Sequence, residues 1–219
     1  MASVVLIGGH GKIALLTAAK LINAGHEVTS VFRNPDHHDE VAATGATPRL
    51  GDVEAMDTVA LADLVSGHDV VVWSAGAGGG NPPRTYAVDR DAAIRSMEAA
   101  QEAGVPRYVM VSYLGASTDH GVAEDDPFFP YAESKAAADE HLRSSGLGWT
   151  LVMPSRLTDD PSQGKVTPRA TEQGPTSREL VADVIVAAVG ADPATVSRRE
   201  LKFTDGDIPI AEALANRPK

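Results

Sequence analysis

Three polar side chains in the middle of the chain have the types and spacing needed for proton transfer. Ser112 ends a predicted strand, and Tyr131 and Lys135 lie at the start of a predicted helix. Residues four positions apart share one face of a helix. We therefore expect the ammonium to lower the pKa of the phenol, making it a usable acid or base, while the serine hydroxyl holds a substrate oxygen. An ordinary helix with a partly buried tyrosine and a solvated lysine is the alternative.

A frame of alternating strands and helices must position these side chains. Short β-branched runs alternate with amphipathic stretches, which is typical of βαβ units and of a parallel sheet buried on both faces. About seven strands are predicted, at residues 3–7, 27–32, 47–50, 70–73, 108–112, 150–153 and, late in the chain, 200–204. Helices are predicted at residues 12–24, 56–65, 84–103 and 131–145, each followed by a glycine expected in a left-handed cap, at positions 25, 67, 104 and 146.

Two segments lack any helical or strand period. Residues 115–130 contain several carboxylates and two prolines, and residues 155–175 are rich in proline, glycine and threonine. Both are predicted to be loops. Each follows the carboxyl end of a strand, where ligands bind in doubly wound sheets. We expect the two loops to form the mouth of a substrate site.

The first strand runs into a glycine-rich turn and then a helix. The spacing Gly8, Gly11, Ala14 suits a tight turn, close approach of a pyrophosphate to backbone, and packing of helix on strand. A turn that merely joins two elements is the alternative. The predicted contacts to the cofactor here are Gly8, Gly9, His10, Gly11, Lys12 and Ile13. The fold class is therefore α/β: a Rossmann doubly wound parallel sheet, forming one domain over residues 1–219 with a small C-terminal extension.

The ends of the next strands predict which dinucleotide is bound. Arg33 and Asn34 follow the second strand, where NAD-binding proteins carry an acidic residue, and an arginine there favours the 2′-phosphate of NADP(H). A solvated surface arginine is the alternative, and NAD(H) is a second candidate cofactor. Asp52, beside Val53, is expected either to accept from the adenine amino group or to cap the following helix. The bare loop at Ala75 and Gly76 is expected to let the cofactor pass close to the protein backbone, and flexibility alone is the alternative explanation of its composition.

Taken in order, these motifs resemble the short-chain dehydrogenase/reductase superfamily over nearly the whole chain, and in particular its atypical branch of NAD(P)-dependent epimerase/dehydratase-like proteins. The resemblance implies that Tyr131 is the catalytic acid/base, that Lys135 contacts the nicotinamide ribose, and that Ser112 orients the substrate. It also implies that Pro154 and Ser155 line the nicotinamide amide, although a proline after a strand is also ordinary loop punctuation. Tyr113 and Arg156, which adjoin these segments, are predicted substrate contacts.

Two departures from the family's pattern bear on catalysis. Asp89 stands where many members have asparagine, so it is expected to take part in any proton relay and to alter it. The chain also lacks the larger C-terminal substrate domain of nucleotide-sugar epimerases, which favours a small substrate.

Composition narrows the class of protein further. The charge of −11 disfavours binding to nucleic acid or to an anionic membrane surface, so a small-molecule substrate is the expected partner, and the sequence leaves open whether the chain forms a homodimer. The absence of cysteine excludes thiolate chemistry and suits a cytoplasmic location. No metal site is predicted, because the acidic residues of the 119–126 segment follow no ligand spacing.

The leading hypothesis is an NADP(H)-dependent oxidoreductase that acts on a small carbonyl or alcohol, with Tyr131 moving the proton. Two alternatives remain. One is a non-catalytic redox sensor in which cofactor binding orders the two loops. The other is a flavin or quinone reductase that does not need the tyrosine.

Overall fold

The computed structural model describes residues 1–216, which contain eleven strands. They are β1 (Ser3–Ile7), β2 (Glu27–Phe32), β3 (Thr47–Leu50), β4 (Val70–Trp73), β5 (Arg107–Val111), β6 (Gly148–Pro154), β7 (Arg156–Thr158), β8 (Lys165–Pro168), β9 (Pro175–Ser177), β10 (Arg199–Asp205) and β11 (Ile208–Pro209). Nine of them form one sheet in the order β11-β8-β10-β6-β5-β4-β1-β2-β3. From β3 to β10 every pairing is parallel. At the other edge β8 pairs antiparallel with β10, and β11 pairs antiparallel with β8. β7 and β9 pair separately.

Helices connect the parallel strands. They are α1 (Lys12–Asn23), α2 (His38–Ala42), α3 (Thr58–Val65), α4 (Pro82–Thr85), α5 (Ala93–Glu102), α6 (Phe129–Ser144), α7 (Arg178–Gly190), α8 (Pro193–Val196) and α9 (Ile210–Ala215). A 3₁₀ turn (Pro35–His37) precedes α2, and a π-helical segment (Tyr86–Ala92) joins α4 to α5. The predicted helix at 84–103 is therefore continuous but changes its hydrogen-bonding pattern.

Alternate residues of the central strands enter two different hydrophobic cores, because successive side chains of a strand point to opposite faces. Val5 and Ile7 of β1 pack with α3 and α5, whereas Val4 and Leu6 pack with α1 and α7. All four residues of β4 are buried. The predicted doubly wound α/β sheet with helices on both faces is thus confirmed. Within residues 1–216 no helix has the length and apolar character needed to cross a membrane.

Several boundaries differ from the sequence prediction, mostly in the last third of the chain. The sheet has nine strands, not seven, and the predicted loop at 155–175 contains β7 and β8. These strands have only three and four residues and depend on pairing with β9 and β10, which a local pattern does not show. α7 was missed because it is buried on most sides and so lacks the polar stripe of an amphipathic helix.

The glycines predicted at helix ends were correct in three cases. Gly25, Gly67 and Gly104 have positive φ. Gly146 does not, because the C-cap residue that follows α6, Ser145, is extended and the Gly146 N–H donates to Gln101 Oε1.

Candidate active site

The glycine turn after β1 leaves no room for side chains. Gly8 has φ +89°, and a Cβ there would lie 2.6 Å from backbone of Ala75, while a Cβ on Gly9 would lie 2.1 Å from the Ser30 hydroxyl. Gly11 closes the turn by donating its N–H to the Gly8 carbonyl, 2.9 Å away, and is the N-cap of α1. The bare backbone and the partially positive start of α1 fit a pyrophosphate.

A groove of about 180 Å³ opens from this turn along the carboxyl ends of β1, β2 and β4. Seven of the residues predicted to contact the cofactor line it: Gly8, Gly11, Arg33, Asp52, Val53, Ala75 and Gly76. Gly76 must be bare, since a Cβ there would lie 2.9 Å from Asp89 Oδ1. Close backbone therefore excludes side chains from the part of the groove beside Gly8 and Gly76.

The far end of the groove is charged. The Glu54 carboxylate accepts from Arg33 Nη1 at 3.4 Å and from Arg84 Nε at 3.1 Å, both through the same oxygen, Oε2. Asp52 accepts from the Glu54 N–H in a turn, and α3 is capped by Asp57 instead. The expectation that Asp52 caps this helix is therefore wrong, because the helix begins later than predicted, at Thr58.

Other predicted cofactor contacts lie around the groove without lining it. The His10 ring stacks on His37, and its Nε2 lies 3.1 Å from Glu40. Lys12 pairs with Asp159 at 3.1 Å across the start of α1. The Asn34 side chain caps the 3₁₀ turn.

The remaining predicted cofactor contacts are more enclosed. Ile13, in the first turn of α1, packs on the core. Pro154 ends β6, and the Ser155 hydroxyl donates to Gln173 Oε1 at 3.0 Å and accepts from the Gly174 N–H. The Ser155 hydroxyl is thus engaged by its own loop.

Tyr131, Lys135 and Asp139 are spaced four residues apart along α6, so they share one face of the helix. The Lys135 ammonium donates to the carbonyl of Val111 at the end of β5, 2.7 Å away, and only 1% of the residue is exposed. Asp139 is fully buried. Sequence reasoning identified the first two of these residues and missed the third.

Ser112 is tied to that buried carboxylate. Its hydroxyl donates to Asp139 Oδ2 at 2.5 Å, while Asp139 Oδ1 has no hydrogen-bond partner within residues 1–216. Asp89, in the π-helical segment, is also buried and accepts from the Ala77 N–H at 2.9 Å. Asp89 is thus a second buried carboxylate that interacts electrostatically with the Lys135 ammonium.

The buried charges shift one another's pKa values. Burial raises the pKa of Asp89 and of Asp139, and Lys135 opposes both shifts. Burial lowers the pKa of Lys135, and the two carboxylates oppose that shift. Each group is thus pushed toward its neutral form by desolvation.

The pKa of Tyr131 is raised, whereas the sequence predicted that it would be lowered. Burial of the phenol is the largest cause, and the negative charges of Asp89 and Asp139 add to it. The ammonium of Lys135 is bonded to Val111 instead. The phenol therefore keeps its proton at neutral pH.

Three aromatic rings, those of Tyr113, Phe128 and Tyr131, cluster at the start of α6. The Tyr113 ring lies 5.5 Å from the Tyr131 ring and 5.4 Å from Phe128, and Phe128 lies 5.3 Å from Tyr131. Phe128 is exposed. The predicted substrate residue Tyr113 thus adjoins Tyr131, whereas the predicted substrate residue Arg156 is exposed at the start of β7.

The residues missed by sequence reasoning carried weak signals. Asp139 continues the four-residue spacing of Tyr131 and Lys135, and this spacing is the signal in the sequence that indicates it. Glu54 and Arg84 are brought together across 30 positions of sequence, so no local pattern could pair them. Within residues 1–216 no group of three or more potential ligands could hold a metal ion.

The fold and the groove define an NAD(P)-binding protein of the Rossmann type. The family model described as NAD(P)H-binding matches residues 8–192, and the chain belongs to this family. The chain is 34% identical to the "Uncharacterized sugar epimerase YhfK" of Bacillus subtilis over 96% of this chain and 98% of the relative.

Solved structures agree on the class. A putative NAD-dependent epimerase/dehydratase from Bacillus halodurans has 28% identity and a TM-score of 0.86, covering 98% of this chain and 99% of the other. The oxidoreductase ylbE from Lactococcus lactis shares the fold, with 21% identity, a TM-score of 0.86 and coverage of 97% and 94%. The resemblance to NAD(P)-binding proteins of the epimerase/dehydratase-like type is thus confirmed.

Proposed function

We propose that the protein is an NADP(H)-dependent oxidoreductase that interconverts a small carbonyl compound and its alcohol. The observation that carries the proposal is the helix face of Tyr131, Lys135 and Asp139, which meets Ser112 at the carboxyl end of β5. The glycine turn lies at the carboxyl end of β1 in the same parallel sheet. A cofactor on that turn and a substrate beside Tyr131 would therefore share one edge of the sheet.

The cofactor fits the groove through backbone more than through side chains. Gly8, Gly11 and Gly76 would admit the phosphates and ribose, and Arg33 with Asp52 would hold the adenosine end. When bound, the reduced nicotinamide supplies hydride to the carbonyl carbon.

Tyr131 supplies the proton in this proposal. Its raised pKa keeps the phenol protonated, which is the form that can donate to the oxygen of a carbonyl as negative charge develops there. Lys135 and Asp139, whose ionised forms have opposite charges, lie on the same face of α6 as the Tyr131 phenol. Ser112, whose hydroxyl proton is donated to Asp139, retains lone pairs that can accept from a substrate hydroxyl.

The three aromatic rings favour a second candidate function. Tyr113, Phe128 and Tyr131 form a cluster of rings inclined to one another, whose apolar faces and edges suit contact with a planar conjugated acceptor such as a quinone or flavin. Reduction of such an acceptor by hydride transfer does not require a proton from Tyr131 in the same step.

Replacement of Tyr131 by phenylalanine separates the two candidates. NADPH oxidation is followed by absorbance with panels of small carbonyls and of quinones, for the parent, for Tyr131→Phe and for Tyr86→Phe as a control. The Arg90 guanidinium carbon lies 4.8 Å from the centroid of the Tyr86 ring, and phenylalanine keeps that ring and so preserves the packing. We expect Tyr131→Phe to lower kcat with a carbonyl by about 100-fold or more, and Tyr86→Phe to leave it unchanged.

The opposite result is equally informative. A carbonyl turned over as fast by Tyr131→Phe as by the parent would contradict the role given to the phenol. Quinone reduction that survives in Tyr131→Phe, without carbonyl reduction in the parent, would favour the second candidate.

A further inference from the structure

Two arginines converge on one glutamate oxygen at the adenosine end of the groove. Arg33 follows β2, Arg84 lies in α4, and both reach Glu54 Oε2. Arg84 also donates from Nη1 to the Ala77 carbonyl at 2.8 Å, which fixes its guanidinium over the loop after β4. All three side chains line the groove, and Glu54 is 30% exposed.

The backbone of Glu54 is held by contacts that do not involve its carboxylate. Arg95 donates to the carbonyls of Val53, Glu54 and Met56, and Asp52 accepts from the Glu54 N–H. The side chain itself is held by the two arginines and can rotate without disturbing the turn. A ligand can therefore replace the carboxylate at small structural cost.

The position of the Glu54 carboxylate indicates which group of a dinucleotide would compete with it for Arg33. The residue directly after β2 is where dinucleotide-binding proteins recognise the ribose 2′ group, and here that residue is Arg33. A carboxylate bound to Arg33 thus occupies the charge that a 2′-phosphate needs. It is also an acceptor of the kind that binds the 2′-hydroxyl of NAD(H).

We propose that Glu54 sets the choice between the two dinucleotides, because its carboxylate occupies an anion subsite formed by Arg33 and Arg84. The inference rests on the proposed binding of NADP(H). The 2′-phosphate of NADP(H) displaces Glu54 and takes both arginines. NAD(H) leaves Glu54 between the arginines, where it accepts from the 2′-hydroxyl. Arg84 is then a second phosphate contact, joining Arg33.

The test compares the dissociation constants of NADPH and NADH for the parent, Glu54→Gln and Glu102→Gln. The control removes the same charge from an exposed residue at the end of α5, which precedes the amino end of β5 and so lies at the opposite edge of the sheet. We expect Glu54→Gln to raise the ratio Kd(NADH)/Kd(NADPH) by about tenfold, the effect of one charged hydrogen bond. Glu102→Gln should leave the ratio unchanged.

A second variant keeps the inference testable if Glu54→Gln is unstable. Arg84→Gln should weaken NADPH by about tenfold and NADH far less, because only the phosphate takes the arginine away from Glu54. An unchanged ratio in both folded variants would overturn the inference while leaving NADPH binding intact. A parent protein that binds neither dinucleotide would overturn the proposed function as well, so the two failures are distinguishable.

Discussion

The two charged regions of the molecule differ in their access to water. In the groove, Arg33 is 53% exposed and Glu54 and Arg84 are each 30% exposed. Behind the predicted proton-transfer site, Lys135 is 1% exposed and Asp139 is fully buried. Exposed ions exchange partners at low cost, since water screens and solvates them. Buried ions keep their partners, because an unpaired charge there costs several kcal/mol. The groove is thus suited to exchanging ligands and the buried site to holding a fixed charge.

The largest effect is expected from removing the buried cation. Lys135→Met leaves Asp89 and Asp139 without their ammonium, and we expect the free energy of unfolding at neutral pH to fall by about 3–5 kcal/mol. Urea denaturation measures this, with Lys12→Met as the control at a cation that is 70% exposed. Equal free energies of unfolding of the two variants would contradict the claim that the buried charge matters more for stability than the exposed one.

The groove also has a rigid part, the glycine turn. Gly8 and Gly78 both have positive φ, +89° and +81°, but a Cβ meets backbone only at Gly8 and open space at Gly78. Alanine at either position adds left-handed strain of about 1–2 kcal/mol, and at Gly8 it adds about 1–3 kcal/mol for crowding. The difference between the melting temperatures of the two alanine variants measures the crowding at Gly8, because the left-handed strain is common to both. Gly8→Ala should also bind NADPH more weakly, whereas equal melts would show that Ala75 yields.

The pH dependence of stability tests the buried carboxylate. Burial raises the pKa of Asp139, so the unfolded state, in which an aspartate has a pKa of about 3.9, releases this proton first as the pH rises. The folded parent is therefore progressively penalised above that pH. We expect the free energy of unfolding of Asp139→Asn, relative to the parent, to rise between about pH 4 and about pH 8, as measured by urea denaturation at each pH.

Asp159→Asn is the matched control for that experiment. Hydrogen bonding to Lys12, opposed by desolvation and aided by Arg178, lowers the pKa of Asp159. Its ionised form therefore stabilises the folded state above the unfolded pKa, and the variant should lose stability relative to the parent as the pH rises. The same sign for both aspartate variants would contradict the assignment of one as buried and the other as exposed.

The smallest effect is expected at Glu54. Glu54→Gln breaks two partly exposed ion pairs, and we expect its free energy of unfolding to stay within about 1 kcal/mol of the parent. Urea denaturation next to the NADPH titration shows whether the groove changes selectivity without changing stability. A loss as large as that of Lys135→Met would mean that these charges are structural.

Much of the amino-terminal frame could be predicted from sequence because its signals are local. β1, the glycine turn and the start of α1 lie within a few residues of one another, and the strands from β1 to β4 were predicted at their observed bounds. The last third of the chain was harder, since β8 and β11 gain their stability from pairing with distant strands. α7 is buried against α1 and the sheet, so its pattern lacks the polar face that identifies a helix.

The sequence by itself determined the fold class, the glycine-rich turn after β1, and the four-residue spacing of Tyr131 and Lys135. Only the tertiary structure decided the electrostatics of the site. Burial, together with the charges of Asp89 and Asp139 from two different elements, raises the pKa of Tyr131 where spacing alone predicted a decrease. The physical reason is that desolvation and charge coupling depend on which side chains meet in space, and a linear pattern specifies only neighbours along one helix or strand.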